Sequence, residues 1–211
     1  MERTIFLVRH AEAAGADGQK RYVGQMDPDL SPLGVRQAEE LGAAFRHRPV
    51  RAVFSSDLRR AMRTALPIAG SHGCRPEPVR DLREIGLGEW EGRTFDEVRA
   101  QYPEEFERRG QDLAGYRPPG GESFADLQQR ALRAFTDIAE KTGGDLVIVA
   151  HAGVNRVILC HLMRRPLQEL FSIPQDAARV SIVWEDGGGY RVLAVNAGPD
   201  SLMSPADRGL P

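Results

Sequence analysis

Short, continuous apolar runs alternate along the chain with segments in which apolar residues recur every three or four positions. The runs at 5–8 and 146–150 are rich in strand-forming residues and are typical of strands buried on both faces of a parallel sheet. A third run, at 50–55, predicts another strand. Because helical patterns separate these strands, the sequence indicates βαβ units. We therefore predict an α/β fold with a mostly parallel central sheet and helices on both faces.

Helix start and stop signals lie between the predicted strands. Ser31 is a typical N-cap, and Pro32 then occupies the first helical position. A second helix is expected to begin at Asp57, whose carboxylate would cap it, and to end or kink at Pro67. A long helix follows Ser123, which opens a capping box. The sequence thus predicts a helix for each connection between the parallel strands.

The remaining segments complete the predicted domain organisation. Two apolar segments, 180–184 and 190–195, flank a glycine-rich turn and predict an antiparallel hairpin at one edge of the sheet. The glycine-rich, proline-rich and charged stretch 86–121 is interpreted as an excursion over the candidate site rather than as a second domain. We predict a single domain over 1–197 and a loose C-terminal tail over 198–211.

Composition narrows the possible partners and compartment. The chain has 211 residues, 41% of them hydrophobic, and a formal net charge of −2, so no global charge favours nucleic acid or an acidic membrane. Two cysteines, Cys74 and Cys160, are too few for a disulfide framework or a cysteine zinc site. No apolar run is long enough to span a membrane, and no signal peptide is recognisable at the N-terminus. We expect a cytoplasmic protein with neither nucleic-acid nor membrane partners.

Two of the predicted strands end on a histidine. Arg9 and His10 follow the first strand, and His151 follows the run at 146–150. Parallel strands with right-handed connections bring their carboxyl ends to one edge of the sheet, where ligands of α/β proteins bind. Arg59 and Arg60, in the first turn of the helix predicted after the run at 50–55, would join them there. Histidines beside arginines suit a dianionic phosphoryl group, although the Arg9–His10 pair taken alone favours a strand cap and a core histidine.

Several motifs together resemble the histidine phosphatase superfamily, which also contains the cofactor-dependent phosphoglycerate mutases. They are Val-Arg-His-Ala-Glu at 8–12, Ser-Ser-Asp-Leu-Arg-Arg-Ala-Met-Arg-Thr-Ala at 55–65, Glu84, Gly-Gly-Glu-Ser at 120–123 and Val-Ala-His-Ala-Gly at 149–153. Their joint occurrence in this order is far more specific than any one of them. Within the family, the chain looks most like small phosphatases such as α-ribazole phosphatase. The resemblance implies a phosphoglycerate mutase-like fold.

The resemblance also implies roles for individual residues. His10 would be the nucleophile that takes the phosphoryl group, and Arg9, Arg60 and His151 would complete the phosphate pocket. Glu84 would protonate the leaving oxygen and then activate water. The scheme requires no metal and no cofactor. Four residues are further candidates for substrate binding: Arg21, Tyr22, Gly24 and Ala152.

The function that we expect is a metal-independent phosphomonoesterase that acts through a phosphohistidine on His10. The substrate would be a small phosphorylated metabolite, with α-ribazole phosphate as one candidate. Two alternatives are a cofactor-dependent phosphoglycerate mutase and an inactive module that binds phosphorylated ligands. The excursion at 86–121 is shorter than in the mutases, which favours hydrolysis. The leaving group stays open, as does the choice between a monomer and a homodimer.

Overall fold

The computed structural model describes residues 2–15 and 21–202, in which one six-stranded sheet is covered by helices. The strands are β1 (Arg3–Arg9), β2 (Val50–Ser55), β3 (Glu77–Pro78), β4 (Asp145–Ala150), β5 (Val180–Glu185) and β6 (Tyr190–Ala197). Their order across the sheet is β3-β2-β4-β1-β5-β6. The first four pair in parallel, whereas β5 is antiparallel to both β1 and β6. The predicted α/β class and its antiparallel hairpin are confirmed.

Helices cover both faces of the sheet. They are α1 (Pro32–Phe45), α2 (Arg59–Gly70), α3 (Phe95–Gln101), α4 (Pro103–Gln111), α5 (Phe124–Lys141) and α6 (Ala152–Leu162). Alternate residues of β1 point to opposite faces. Ile5 and Leu7 belong to the apolar cluster formed with α5 and α6, and Phe6 and Val8 belong to the cluster formed with α1 and α2. The central strand is thus buried on both sides.

Two helix starts follow the sequence prediction. The Ser31 hydroxyl accepts the backbone N–H of Gly34 at 3.0 Å, and Pro32 occupies the first turn. At α5, the Ser123 hydroxyl accepts the N–H of Asp126, while the Asp126 carboxylate accepts the N–H of Ser123. Both caps satisfy backbone donors that would otherwise lack partners.

Helix α2 differs from the prediction at its start, and it does not end at Pro67. Asp57 does not cap it, because both carboxylate oxygens accept hydrogen bonds from the guanidinium of Arg83 at 2.7 Å. Leu58 is the N-cap and supplies no side-chain hydrogen bond. Pro67 lies inside the helix, which continues for three more residues. A Cβ at Gly42 of α1 would lie 2.8 Å from the Cβ of Pro67, so close packing against α1 accompanies the interruption.

The predicted start of the tail is too early. Pro199–Leu202 forms a short 3₁₀ helix, and Leu202 is 2% exposed in the cluster beneath α1. Its carbonyl accepts a hydrogen bond from the Nε of Arg48 at 2.9 Å. Burial of one apolar side chain at a position without periodicity is invisible in the sequence pattern. The rest of the predicted tail lies outside the described residues.

The excursion packs on the same core as the sheet. It contains a short 3₁₀ helix, Gly88–Trp90, followed by α3 and α4. Trp90 is fully buried in the cluster that includes α5 and α6. The excursion closes where the N–H of Glu122 donates to the carbonyl of Gly86 at 2.7 Å. Its position is therefore fixed at both its core contact and its ends.

Candidate active site

The ends of β1, β2 and β4 bring three polar residues to one edge of the sheet. The N–H of His10 donates to the carbonyl of Ala150, and the N–H of Ser56 donates to the carbonyl of Val149, both at 2.9 Å. His151 follows Ala150 directly. The rings of His10 and His151 have centroids 5.0 Å apart and an interplanar angle of 60°. The two histidines thus face each other, as the strand pattern predicts.

The ring of His10 is held in one tautomer. Its Nδ1 lies 2.7 Å from the carbonyl oxygen of Ala11, which can only accept, so Nδ1 carries the proton. Nε2 is left with a lone pair, and the Nε of Arg60 donates towards it at 3.3 Å. Burial, with the charges of Arg60 and Arg9, lowers the pKa of His10 to about 3. His10 is therefore neutral at physiological pH, as a histidine nucleophile must be.

Two buried arginines lie beside this ring. Arg60 is 2% exposed, and its two terminal nitrogens donate to the carbonyls of Met26 at 2.5 Å and Gly24 at 2.9 Å. One terminal nitrogen of Arg9 donates to the carbonyl of Gln175, while its Nε is buried without a partner among the described residues. Burial lowers the pKa of both guanidinium groups. Both remain cations, and Arg9 retains a donor for an anionic ligand.

Glu84 approaches the site from the loop that precedes the excursion. Its carboxylate accepts the N–H of Gly153 in the first turn of α6 and that of its own neighbour Ile85, both at 3.0 Å. Arg130 fixes the backbone by donating to the Glu84 carbonyl at 2.9 Å. A Cβ at Gly153 would lie 2.3 Å from the carboxylate, so this close approach requires glycine. The carboxyl group is thereby anchored at the edge of the cavity.

A cavity of about 560 Å³ opens over these residues. Eight of the nine residues predicted for the site line it: Arg9, His10, Arg21, Tyr22, Gly24, Arg60, Glu84 and Ala152. The ninth, His151, is fully buried, with its ring against that of His10. The structure therefore brings all nine predicted residues into or against one cavity.

The outer wall contains residues that the sequence reasoning missed. Arg156 and Arg109 line the cavity, with their guanidinium carbons 5.3 Å from the ring centroid of Phe171 and 5.7 Å from that of Tyr22, respectively. Phe171 is 50% exposed at the rim. The available signal for Arg156 was its spacing, since it lies four residues after Ala152 on the same face of α6. Phe171 and Arg109 lie in irregular or exposed segments that carry no comparable signal.

Within the described part of the chain, no helix is long and apolar enough to cross a membrane. No group of three or more histidine, cysteine, aspartate or glutamate side chains is placed there to hold a metal ion.

Comparison with known proteins identifies relatives of this chain. A family model described as histidine phosphatase superfamily (branch 1) matches residues 5–198. A protein named putative phosphoserine phosphatase 2, from Hydrogenobacter thermophilus, is 30% identical over 194 residues, which cover 92% of this chain and 95% of the relative. A metal-independent phosphoserine phosphatase from Arabidopsis thaliana is 40% identical over 73% of this chain and 66% of its own length.

Solved structures give the same picture. The Bacillus stearothermophilus protein YhfR has a TM-score of 0.84 and 34% identity, covering 93% of this chain and 97% of its own. The α-ribazole phosphatase from Shigella flexneri also has a TM-score of 0.84, covering 92% and 96%, but its 22% identity shows a shared fold alone. Since the family model spans nearly the whole chain and the relatives are named as phosphatases, the predicted phosphatase is confirmed, and the chain belongs to the histidine phosphatase superfamily.

Proposed function

We propose that this protein hydrolyses a small phosphomonoester by transferring the phosphoryl group first to Nε2 of His10 and then to water. The observation that carries the proposal is the state of His10. Its ring is neutral, its Nδ1 is committed to the Ala11 carbonyl, and its Nε2 lone pair faces the cavity side occupied by Arg60. A histidine in this state is a nucleophile rather than an acid.

The proposed reaction has two displacements. In the first, the Nε2 lone pair forms a bond to phosphorus while the phosphorus–oxygen bond to the leaving group breaks, and the Glu84 carboxyl gives its proton to the leaving oxygen. In the second, Glu84 takes a proton from water, the water oxygen bonds to phosphorus, and the phosphorus–nitrogen bond breaks. Arg9 and Arg60 offset the negative charge of the transferring oxygens in both steps. Each step balances without a metal ion.

The outer wall supports a leaving group that carries a carboxylate. Arg156 is half-buried, and its Nε donates a hydrogen bond to the Ile173 carbonyl at 2.9 Å. Its guanidinium is therefore held at the cavity wall beside Phe171. A fixed guanidinium suits a carboxylate. Together with the relatives named phosphoserine phosphatases, this favours a phosphorylated hydroxy acid or amino acid such as phosphoserine.

A second candidate substrate follows from the aromatic rim. Phe95 and Phe171 are 40% and 50% exposed at the cavity. Exposed aromatic rings suit a leaving group with an aromatic ring of its own, as in α-ribazole phosphate. A panel containing phosphoserine, α-ribazole phosphate and 3-phosphoglycerate ranks these classes by kcat/KM. Formation of 2-phosphoglycerate in the presence of 2,3-bisphosphoglycerate would identify a mutase instead.

The test of the reaction is phosphate release from p-nitrophenyl phosphate with excess EDTA. We expect activity to persist in EDTA and to fall at least about 10³-fold in His10→Ala. His161→Ala, which removes an exposed histidine, is the matched control. When the reaction of wild type with substrate labelled in its phosphoryl group is quenched, an acid-labile phosphoenzyme should be trapped. His10→Ala should not form it. Full activity of His10→Ala would overturn the proposal, and binding without turnover by wild type would indicate a binding module.

A further inference from the structure

The hydroxyl group of Ser56 lies against the second histidine of the site. Ser56 follows β2 and His151 follows β4, and both side chains are fully buried. The Oγ of Ser56 is 2.8 Å from Nε2 of His151. The backbone N–H of Ser56 donates to Val149, so the sheet itself fixes this pair.

The direction of this hydrogen bond follows from the partners of the hydroxyl. The Ser56 Oγ accepts the N–H of Leu58 at 3.4 Å, and within residues 2–15 and 21–202 its proton has no acceptor other than Nε2 of His151. The hydroxyl therefore donates to Nε2. Burial above all, with His10 and Arg60 next, holds the pKa of His151 well below its usual value. A neutral ring has a single N–H, which must then be on Nδ1.

Nδ1 of His151 is the atom left for the substrate. It is buried and makes no hydrogen bond to the described residues. Since the His151 ring lies 5.0 Å from the His10 ring, a phosphoryl group attached to His10 is the nearest anionic partner that the proposed reaction supplies. We propose that Ser56 is a positioning residue that sets the tautomer of His151 and so presents an Nδ1–H donor to the phosphoryl oxygens. This inference rests on the proposed function.

The opposite tautomer would be unfavourable at this place. A lone pair on Nδ1 would face the phosphoryl oxygens and repel them, while the proton on Nε2 would point at Ser56. Removing the hydroxyl should therefore weaken binding of the transferring group more than it weakens the fold. Ser55 offers a matched comparison, because it is adjacent and fully buried, and its hydroxyl donates to the backbone carbonyl of Ser56 at 2.8 Å rather than to a histidine.

The kinetic test compares Ser56→Ala with Ser55→Ala. We expect kcat/KM for p-nitrophenyl phosphate to fall about tenfold in Ser56→Ala, the effect of losing one net hydrogen bond, and to stay within about twofold of wild type in Ser55→Ala. Affinity for inorganic phosphate should fall in parallel, and Ser56→Thr, which keeps the hydroxyl, should recover most of both. Equal effects of the two alanine variants on kcat/KM and on phosphate affinity would overturn the proposal.

A spectroscopic test reads the tautomer of His151 in the wild-type protein and needs no turnover. In ¹⁵N-histidine-labelled wild type at neutral pH without ligand, the nitrogen shifts of His151 should show Nδ1 protonated and Nε2 unprotonated. His151→Asn assigns these signals among the five histidines. Protonation of Nε2, or of both nitrogens, would overturn the proposal. Because this readout does not depend on hydrolysis, it separates failure of the tautomer assignment from failure of the phosphatase mechanism tested with His10→Ala.

Discussion

At the scale of single residues, the neutral state of buried His10 makes the folded protein less stable in acid. His10 has a pKa of about 3 in the folded protein and 6.5 ordinarily. At a pH between these two pKa values, the unfolded chain binds a proton at His10 and the folded chain does not. The free energy of unfolding therefore falls as the pH falls. His10 alone should account for a loss of about 2 kcal/mol between pH 7 and pH 5.

The His10→Gln variant tests this linkage. Urea unfolding of wild type and variant at pH 7, 6 and 5, followed by tryptophan fluorescence, should show a smaller loss in the variant by about 2 kcal/mol. His161→Gln makes the same substitution at an exposed histidine and serves as the control. Parallel pH dependences for His10→Gln and wild type would mean that His10 is protonated as readily when folded as when unfolded.

Glu84 gives a second prediction at this scale, based on the leaving group. A proton donor matters for an alkoxide and much less for p-nitrophenolate, which leaves readily without one. Glu84→Gln should therefore lower kcat/KM by about 10²–10⁴-fold for an alkyl phosphate such as phosphoserine, and by less for p-nitrophenyl phosphate. The exposed Glu89→Gln should change neither value. Equal losses on both substrates would assign Glu84 to binding rather than to proton transfer.

The residues that sequence could place are those whose position depends on local pattern. His10 and His151 each follow a buried apolar run, and parallel pairing of such runs brings their ends together. Asp57 is predicted as a cap because it directly precedes the helical pattern that begins at Leu58. Its actual partner, Arg83, lies 26 residues away and donates two hydrogen bonds. Only the folded chain shows which of two equally plausible partners a carboxylate takes.

At the scale of elements, the excursion between Glu84 and α5 depends on how its two ends meet. Gly88 has φ +55°, and a Cβ there would lie 2.1 Å from the carbonyl oxygen of Pro119. The N–H of Glu89 donates to the same carbonyl at 3.0 Å. We call this contact of Gly88 and Glu89 with Pro119 the clamp. Leu87, next to the clamp, lines the cavity. A side chain at Gly88 must therefore separate the ends and disturb the cavity wall.

Gly88→Ala should lower the free energy of unfolding by roughly 2–4 kcal/mol, the combined cost of a left-handed alanine and a backbone overlap. KM for p-nitrophenyl phosphate should rise as well. Gly110→Ala is the matched control, since Gly110 lies in α4 with no atom within 4 Å of an added Cβ. It should gain up to about 1 kcal/mol. Unfolding curves for both variants measure these changes. A free energy of unfolding in Gly88→Ala equal to that of wild type would show that the clamp has no structural role.

Element boundaries were less predictable than element types. Pro67 predicts an end or a kink in the helix because proline removes an intrahelical hydrogen bond. Helix α2 nevertheless continues to Gly70, in close contact with α1 at Gly42. Likewise, Leu202 lies in the segment predicted as a loose tail, yet its side chain packs in the apolar cluster beneath α1. In both cases tertiary packing outweighs a local preference of a few kcal/mol, which no window of sequence reveals.

For the whole molecule, the sheet order couples the phosphate pocket to the fold. β4 and β1 are neighbours at its centre, and the loops after them carry the facing histidines, while α2 after β2 carries Arg60. A ligand that bridges these loops therefore joins elements as far apart in the sequence as His10 and His151. Because such a ligand binds the folded state alone, it should stabilise the entire domain rather than one loop.

Orthovanadate, a mimic of the transferring phosphoryl group, tests this coupling. At about 100 times its Kd it should stabilise the protein by about 2.7 kcal/mol, which for a chain of this length raises Tm by about 5–10 °C. Arg60→Ala should lose most of this shift, because the buried guanidinium contacts the His10 ring.

Arg59→Ala is the matched control. It removes the adjacent arginine, which is 62% exposed and paired with Asp29, and it should keep the shift in Tm. The comparison uses the change in Tm on adding vanadate, since Arg60→Ala also loses two hydrogen bonds to backbone carbonyls. Equal vanadate shifts in the two variants would place the anion away from Arg60 and would uncouple the pocket from the sheet edge on which the proposed chemistry depends.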